Sequence, residues 1–426
     1  MKLLVVGGGG REHAIIRKLK ENPRVVEIVC LPGNAGIAMD AKCLNIKATD
    51  IDAIAEFAAQ YRPDFAVVAP DDPLALGCVD RLHALGIPCF GPDARAARIE
   101  ASKVFAKDLM KKYGIPTAAY EAFDDADAAL AYVREATIPL VVKADGLALG
   151  KGVTICMTQG EAEAAVRAAM IDGAFGASGA RVVIEEYLEG PEVSVLAFTD
   201  GHAVKPMVSS MDHKRAGDGD TGLNTGGMGT IAPNPCYTPA VAERCMREIF
   251  LPTVEAMNAE GCPFKGCLYF GLMVTKDGPK VIEYNCRFGD PETQVVLPLL
   301  KSDLLTVMMA VEGETLAETP VEFSDGAACC VMLASGGYPG KYEKGKVIDL
   351  GKAPEMAEIF HSGTARNGAG ELVTAGGRVL GVCRTAADLR TAVDGAYAAA
   401  AEVKWDGMML RHDIGARALK ILEAGR

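Results

Sequence analysis

The chain has 426 residues, half of them apolar and 23% charged, with a formal net charge of −12. That length exceeds what a single hydrophobic core serves and favours two to four domains, while the acidic balance argues against a nucleic-acid backbone as the main partner. No apolar run approaches a membrane span and Met1-Lys2-Leu3 leads directly into a strand pattern, so a soluble cytoplasmic protein without a leader peptide or membrane contact is expected.

Residues 1 to about 100 alternate apolar strands at 3–6, 25–31, 65–69 and 88–90 with helical patterns at 11–20, 51–60 and 74–85. Such alternation predicts a parallel sheet covered on both faces, with ligands at the C-terminal strand ends. The loops there are 7–10, 32–36 and 70–73. Gly7–Gly10 invites a dinucleotide reading, which fails in detail: Glu12 occupies the third glycine position and Leu31-Pro32-Gly33-Asn34 stands where a ribose-binding acid is needed. A glycine turn opening a helix still offers amides to a phosphate. A tight strand-to-helix turn without a ligand is the alternative.

A helical stretch over 93–112 ends at Tyr113-Gly114-Ile115-Pro116, a hinge pattern. Next comes a compact α+β unit, with strands at 140–143, 153–157 and 182–186 and a helix at 161–170. Lys143 to Gly152 is a glycine loop carrying Lys143 and Lys151. It is no Walker loop, because Gly146 and Gly150 are too close and no Ser or Thr follows Lys151. A flexible hairpin tip with two cations suits a polyphosphate; a plain turn with solvated lysines is the alternative. The strand at 182–186 runs into Glu185-Glu186-Tyr187-Leu188, where strand-end backbone could hold a nucleobase and a nearby carboxylate a ribose.

Further strands are expected at 192–199, 265–275 and 281–285, around a loop at 211–230 and a helix after Pro239. The loop holds Asp212-His213-Lys214-Arg215 and Asn224-Thr225-Gly226-Gly227-Met228-Gly229, a pattern of a binding loop rather than a linker. From Val281 to Gln294 an apolar strand ends in a cluster of Glu283, Asn285, Arg287, Asp290 and Glu292. Alternation places Glu283, Asn285 and Arg287 on one face, with Ile282 and Tyr284 on the other. Two oxygen donors two residues apart suit Mg²⁺, which leaves its other positions to water and phosphates. Strands at 327–334 and 378–384 and a helix at 386–401 suggest a small terminal domain. Thirteen scattered cysteines without a Cys-x-x-Cys pair, and six histidines without ligand spacing, predict reduced thiols rather than disulfides or zinc.

Taken together, Gly-Gly-Arg-Glu-His-Ala (9–14), Pro-Gly-Asn-Ala-Gly (32–36), Lys-Ala-Asp-Gly-Leu-Ala (143–148), Gly-Lys-Gly-Val (150–153), Asp-His-Lys-Arg (212–215), Asn-Thr-Gly-Gly-Met-Gly (224–229), Arg-Phe-Gly-Asp-Pro-Glu (287–292) and Gly-Gly-Tyr-Pro-Gly (336–340) resemble the glycinamide ribonucleotide synthetase family of the ATP-grasp superfamily. The resemblance covers essentially the whole chain. It implies an α/β and α+β multidomain protein: an N-terminal parallel-sheet domain (1–101), an ATP-grasp core (102–325) with a small lid subdomain (about 117–188), and a small C-terminal α+β domain (326–426). It implies that ATP, glycine and 5-phosphoribosylamine become glycinamide ribonucleotide, ADP and phosphate in purine synthesis. Carried onto this chain, Lys103 and Lys143 contact ATP phosphates and the loop with Gly150, Lys151 and Gly152 is the lid. Glu185, Glu186, Tyr187 and Leu188 hold adenine, Glu192 the ribose, and Glu283 with Asn285 a Mg²⁺ or Mn²⁺. The sugar phosphate lies against Gly9, Gly10, Asn34, Asp71, Thr225, Gly226, Gly227 and Met228.

Activating a carboxylate with ATP gives an acyl phosphate that an amine attacks, so positioning and charge neutralisation are the main requirements. Arg287 is the candidate for gripping the glycine carboxylate as a planar fork. Asp212 or Asp290 receives the ammonium, and Lys214 completes the catalytic set. Two departures from the family stand out: Asp71-Asp72 replaces the Glu and apolar residue of many relatives, and Gly271-Leu272-Met273-Val274 carries no metal-binding acid. A monomer is expected, with transient contact to the enzyme that makes phosphoribosylamine. The competing readings are another ATP-grasp ligase, a nicotinamide-dependent dehydrogenase and a non-catalytic nucleotide sensor.

Overall fold

The computed structural model describes residues 1–147 and 152–424; Gly150 and Lys151, assigned above to the lid, lie outside them. The N-terminal strands Lys2–Gly7, Glu27–Pro32, Phe65–Val68 and Cys89–Phe90 form a five-stranded sheet with Lys42–Cys43, a short strand without an apolar signature. All its neighbours are parallel. Leu4 and Val6 pack on one face and Leu3 and Val5 on the other, which is why the strand reads as continuously apolar. Later strands are added on either side of Lys2–Gly7, so the loops after Lys2–Gly7 and Phe65–Val68 flank a crevice at the sheet's C-terminal end.

Two expected helices are each divided. Gly77 at φ +80° separates Asp71–Ala75 from Cys78–Ala84, so the expected 70–73 loop is instead the start of a helix. Ser102 at φ −134° separates Ala94–Ala101 from Lys103–Tyr113, and its hydroxyl caps the second by accepting from Phe105 N at 3.1 Å. The helix ends at Gly114 in the left-handed conformation, φ +68°.

The sheet within residues 117–188 has the order Tyr120–Phe123, Val182–Glu186, Leu140–Ala144, Val153–Cys156 and is antiparallel, backed by helices Ala126–Glu135 and Gln159–Met170. Tyr120–Phe123 and the Ala126–Glu135 helix had no sequence expectation. The central sheet runs Val204–Pro206, Glu192–Asp200, Lys265–Thr275, Gly278–Asn285. Opposite Gly271 and Leu272 the last strand carries an extra residue, Ile282, since Gly271 pairs with Glu283 and Leu272 with Val281. Ile282 is therefore only half-buried in the bulge rather than packed with Tyr284 in the core.

The C-terminal sheet includes Ala327–Ser335, Glu358–His361, Arg378–Ala386 and Met408–Met409, and also takes Met211–Asp212 and Gly229–Ala232 from the middle of the chain. Within the expected 211–230 loop, Arg215–Gly217 and Thr221–Asn224 form a hairpin. Phe90, Phe198 and Phe288 join the N-terminal and central sheets, with ring centroids 5.8–6.2 Å apart. All thirteen cysteines are free. Among the described residues no helix is long and apolar enough to cross a membrane.

The seam between the N-terminal and C-terminal sheets is neutral and hydrogen-bonded. His361 N donates to His13 Nδ1 at 2.9 Å, leaving the proton of neutral His13 on Nε2, 3.0 Å from Asp40 Oδ2. Burial holds both imidazoles uncharged and pushes His361 down to about 3, with the neighbouring His13 and Arg17 acting in the same direction. An unfolded chain takes up the proton near pH 6.5 and the folded one only near 3. The stability contributed by neutral His361 is therefore complete above pH 6.5 and declines as the pH falls, by about 2 kcal/mol at pH 5. Urea midpoints at pH 7.5 and 5 should differ accordingly, and His361→Gln should reduce that difference; an unchanged difference contradicts the assignment.

Candidate functional site

The strand Gly278–Asn285 and its continuation to residue 294 gather side chains from all three parts of the chain. Because of the bulge, Val281 and Tyr284 both join the core while Glu283 lies on the opposite face. No hydrogen bond or ion pair to the Glu283 carboxylate exists among the described residues. Burial alone would raise its pKa, yet the charges of Lys214, Lys143, Lys103 and Arg287 hold it below the usual range. An ionised carboxylate without a partner, set among cations, is suited to a multivalent cation shared with an anionic ligand. Asn285 Oδ1 lies on the same strand face and accepts from Arg287 Nη2 at 3.1 Å.

Lys103 sits at the first turn of its helix, with Nζ 3.1 Å from Gly146 O. Lys143 Nζ donates to Ile282 O at 2.9 Å and to Glu185 Oε2 at 3.0 Å. The buried Glu185 also pairs with Lys107 at 3.0 Å, a residue the sequence reading missed although it lies one turn after Lys103 on the same helix. Burial lowers Lys107 to about 8, with Glu185 opposing and Lys143 reinforcing the shift. Glu185 is thus committed to two lysines. Glu186, Tyr187 and Leu188 continue along the strand end, Glu186 exposed and paired with Lys280 at 3.1 Å. Glu192 is exposed at the start of the central strand, and Gly152 is buried beside the undescribed segment.

Beside Glu283, Asp212 Oδ2 accepts from Lys214 Nζ at 3.1 Å. Tyr269 donates to Glu292 Oε1 at 3.1 Å. Burial pushes the Asp212 and Glu292 carboxyls up, the charge of Asp212 adds to the rise at Glu292, and Lys214 opposes both. Asp290, the other ammonium candidate, is already neutralised: it accepts from Gln294 Nε2 at 2.9 Å and from Arg11 N at 3.3 Å, and pairs with Arg378 at 3.3 Å. Burial would raise it, but Arg378 and Arg11 hold it low.

Arg287 is not a free fork. Nη2 donates to Glu100 Oε1 at 2.9 Å and to Asn285, Nη1 donates to Phe288 O at 3.3 Å, and Nε has no partner among the described residues. A two-pronged grip on a carboxylate requires it to release one of them. Asp71 lies across the crevice, where the charges of Arg287 and Arg11 outweigh its burial and lower its pKa.

Gly9 and Gly10 face this segment. A Cβ on Gly10 would come within 2.6 Å of both Gln294 Nε2 and Ser362 Oγ, so only glycine allows the approach. Asn34 is fully engaged: Nδ2 donates to Gly8 O, His361 O and Ser362 O, and Oδ1 accepts from Gly36 N and Ile37 N. Thr225 Oγ1 accepts from Gly227 N, Gly226 N donates to Tyr338, and the Met228 side chain is fully buried. What Asn34 and Met228 offer a ligand is therefore backbone. Glu100, Tyr269 and Arg378 carry no local sequence signal, since each is brought to the site by tertiary packing, whereas Arg11 belongs to the Gly-Gly-Arg-Glu-His-Ala motif (9–14).

Residues 1–100, 101–293 and 328–417 match, in order, the N, ATP-grasp and C domains of phosphoribosylglycinamide synthetase. The chain is 49% identical over 420 residues to a phosphoribosylamine–glycine ligase of Rhizobium meliloti, covering 98% of this chain and 99% of that one. It is 50% identical over 423 residues to one from Xanthomonas campestris pv. campestris, covering 98% of each. The phosphoribosylamine–glycine ligase structure from Thermotoga maritima has a TM-score of 0.86 at 36% identity, over 97% of this chain and 100% of that one. A biotin carboxylase domain from Hydrogenobacter thermophilus has a TM-score of 0.72 at 19% identity, over 96% and 91%, a likeness of fold alone.

Gly227 gives a direct test of the local packing. Its φ is +113°, and a Cβ would meet Pro291 Cδ at 2.5 Å and Asp212 Oδ1 at 2.6 Å. Gly227→Ala should cost about 1–3 kcal/mol and lower the thermal midpoint; an unchanged midpoint contradicts the packing.

Proposed function

Because the chain belongs to the phosphoribosylglycinamide synthetase family over its whole length, we propose how its own residues perform the family's ligation of glycine to 5-phosphoribosylamine. The enzyme is a carbon–nitrogen ligase of purine biosynthesis: ATP, glycine and 5-phosphoribosylamine give glycinamide ribonucleotide, ADP and phosphate. The observation that supports the reading best is the ionised Glu283, without a hydrogen-bond or ion-pair partner among the described residues, set among Lys103, Lys143, Lys214 and Arg287.

A divalent cation, Mg²⁺ or Mn²⁺, fits Glu283 and Asn285, because one carboxylate and one amide oxygen leave most positions to phosphate and water. Bound there, it would neutralise phosphate charge during transfer. Lys103 and Lys143 bind ATP phosphates, with the loop containing Gly150, Lys151 and Gly152 closing over them. Glu185 orients Lys143, and the strand end through Glu186, Tyr187 and Leu188 receives adenine, with Glu192 at the ribose. Asp212 receives the glycine ammonium in preference to Asp290, whose charge is already met by Arg378 and Arg11. Arg287 turns from Glu100 to the glycine carboxylate as that group arrives, with Lys214 beside it. The sugar phosphate lies between Gly9, Gly10 and the backbone of Asn34 on one side and 225–228 on the other, with Asp71 at the rim. The phosphorylated carboxylate is attacked by the sugar amine; the C–N bond forms and phosphate leaves. The reading carries with it a cytoplasmic monomer that takes its labile amine substrate from the enzyme producing it.

Glu283→Gln keeps the shape and removes the charge, so turnover should fall by at least about 100-fold with the thermal midpoint preserved. Wild-type turnover in saturating Mg²⁺ would move the metal site elsewhere. With [¹⁸O]carboxylate glycine, the released phosphate should carry label, because one carboxylate oxygen leaves with phosphorus. Unlabelled phosphate alongside genuine amide product excludes the acyl phosphate.

A further inference from the structure

Arg378 stands in the C-terminal strand Arg378–Ala386, far in sequence from every residue assigned above, yet its guanidinium holds two separate segments, 226–227 and 290. Nη1 donates to Gly226 O at 2.6 Å, to Asp290 O at 2.7 Å and to Gly227 O at 3.4 Å, and Nη2 pairs with Asp290 Oδ1 at 3.3 Å. A Cβ on Gly226 would fall 3.0–3.2 Å from the guanidinium atoms, so the loop lies flat against the charged group. Tyr338, on the loop after Ala327–Ser335, receives Gly226 N at 3.1 Å. The other side of Asp290 accepts from Arg11 N at the start of the helix that follows Gly9.

We propose that Arg378, assisted by Tyr338, is a positioning residue for the sugar-phosphate substrate: it fixes the 225–228 loop and the Asp290 turn against the Gly9-Gly10 turn, making the C-terminal domain a part of the substrate site. The inference rests on the reading that places the sugar phosphate between those turns. Arg378 is held by three carbonyls and by the Asp290 carboxylate, and so acts through the loop. A lysine keeps the positive charge beside Asp290, but its single nitrogen cannot span acceptors spread over two segments as a planar fork does. The part-buried Gly227 and Asp290 carbonyls would lose their donor, and the loop would be drawn towards other partners. In the same reading ATP is held through Lys103 and Lys143, whose hydrogen bonds among the described residues do not involve Arg378.

The test uses the full-length enzyme and the stable product, glycinamide ribonucleotide, as a probe of the sugar-phosphate site in titration calorimetry, beside ATP binding and steady-state kinetics. Arg378→Lys and Arg378→Met should each weaken product binding by about tenfold or more, Met more than Lys, and raise KM for phosphoribosylamine. ATP affinity and the glycine KM should stay within about twofold, a split that a general loss of structure would not give. Tyr338→Phe removes one hydroxyl from a half-exposed ring and should shift the same constants in the same direction, more weakly; it stands in if the arginine variants do not fold. Equal product affinity in wild type and variants overturns the inference alone. So does a parallel loss of ATP, glycine and product affinity. No binding of product by the wild type removes the site reading beneath it as well.

Discussion

Taking a carboxylate out of water is unfavourable unless opposite charge stays close, and that constraint organises the centre of this molecule. At an effective dielectric near 20, a unit charge about 4 Å away contributes on the order of 4 kcal/mol, so several lysines can keep a buried carboxylate ionised. Glu185 meets the requirement by direct contact with Lys107 and Lys143. Glu283 meets it at longer range and keeps its oxygens free. The first arrangement is closed and positions lysines. The second is open and leaves valence for a ligand that carries its own compensating charges.

Beside the aromatic contact of Phe90 with Phe198 and Phe288, two polar junctions between the N-terminal part and the rest of the chain differ in kind. Around His13, His361 and Asn34 the contacts are neutral hydrogen bonds, directional and insensitive to salt. Around Asp290 they are charge-assisted, with Arg378 and Arg11 on either side of one carboxylate. The neutral seam sets orientation behind the glycine turn, and the charged knot sets the distance between that turn and the 225–228 loop.

Much of this was legible in the chain because it is local. The parallel sheet followed from strand–helix alternation, the cluster at 283–292 from proximity in sequence, and the reduced cysteines from their scatter. What escaped was carried by tertiary packing or by single residues acting against a pattern. Continuous helical periodicity at 74–85 and 93–112 hid the breaks at Gly77 and Ser102, since a lone glycine or serine is tolerated in a helical pattern. Arg287 read as a free fork, because nothing near it in sequence announces Glu100. The polar 211–230 stretch read as loop, although Met211–Asp212 and Gly229–Ala232 complete a sheet whose other strands lie about a hundred residues on.

The bulge at Ile282 has a meaning in parity. On an unbroken strand, positions 281 and 283 would share a face, so Val281 in the core would draw the Glu283 carboxylate in after it. One uncounted residue lets the strand change sides between them without changing direction, and the freed Ile282 carbonyl is the one that Lys143 binds. The strand is therefore read in two frames, an apolar one up to Val281 and a polar one from Glu283 onward. Length changes just upstream and just downstream of this residue are not equivalent: upstream, one moves the core register, and downstream, one moves the charges.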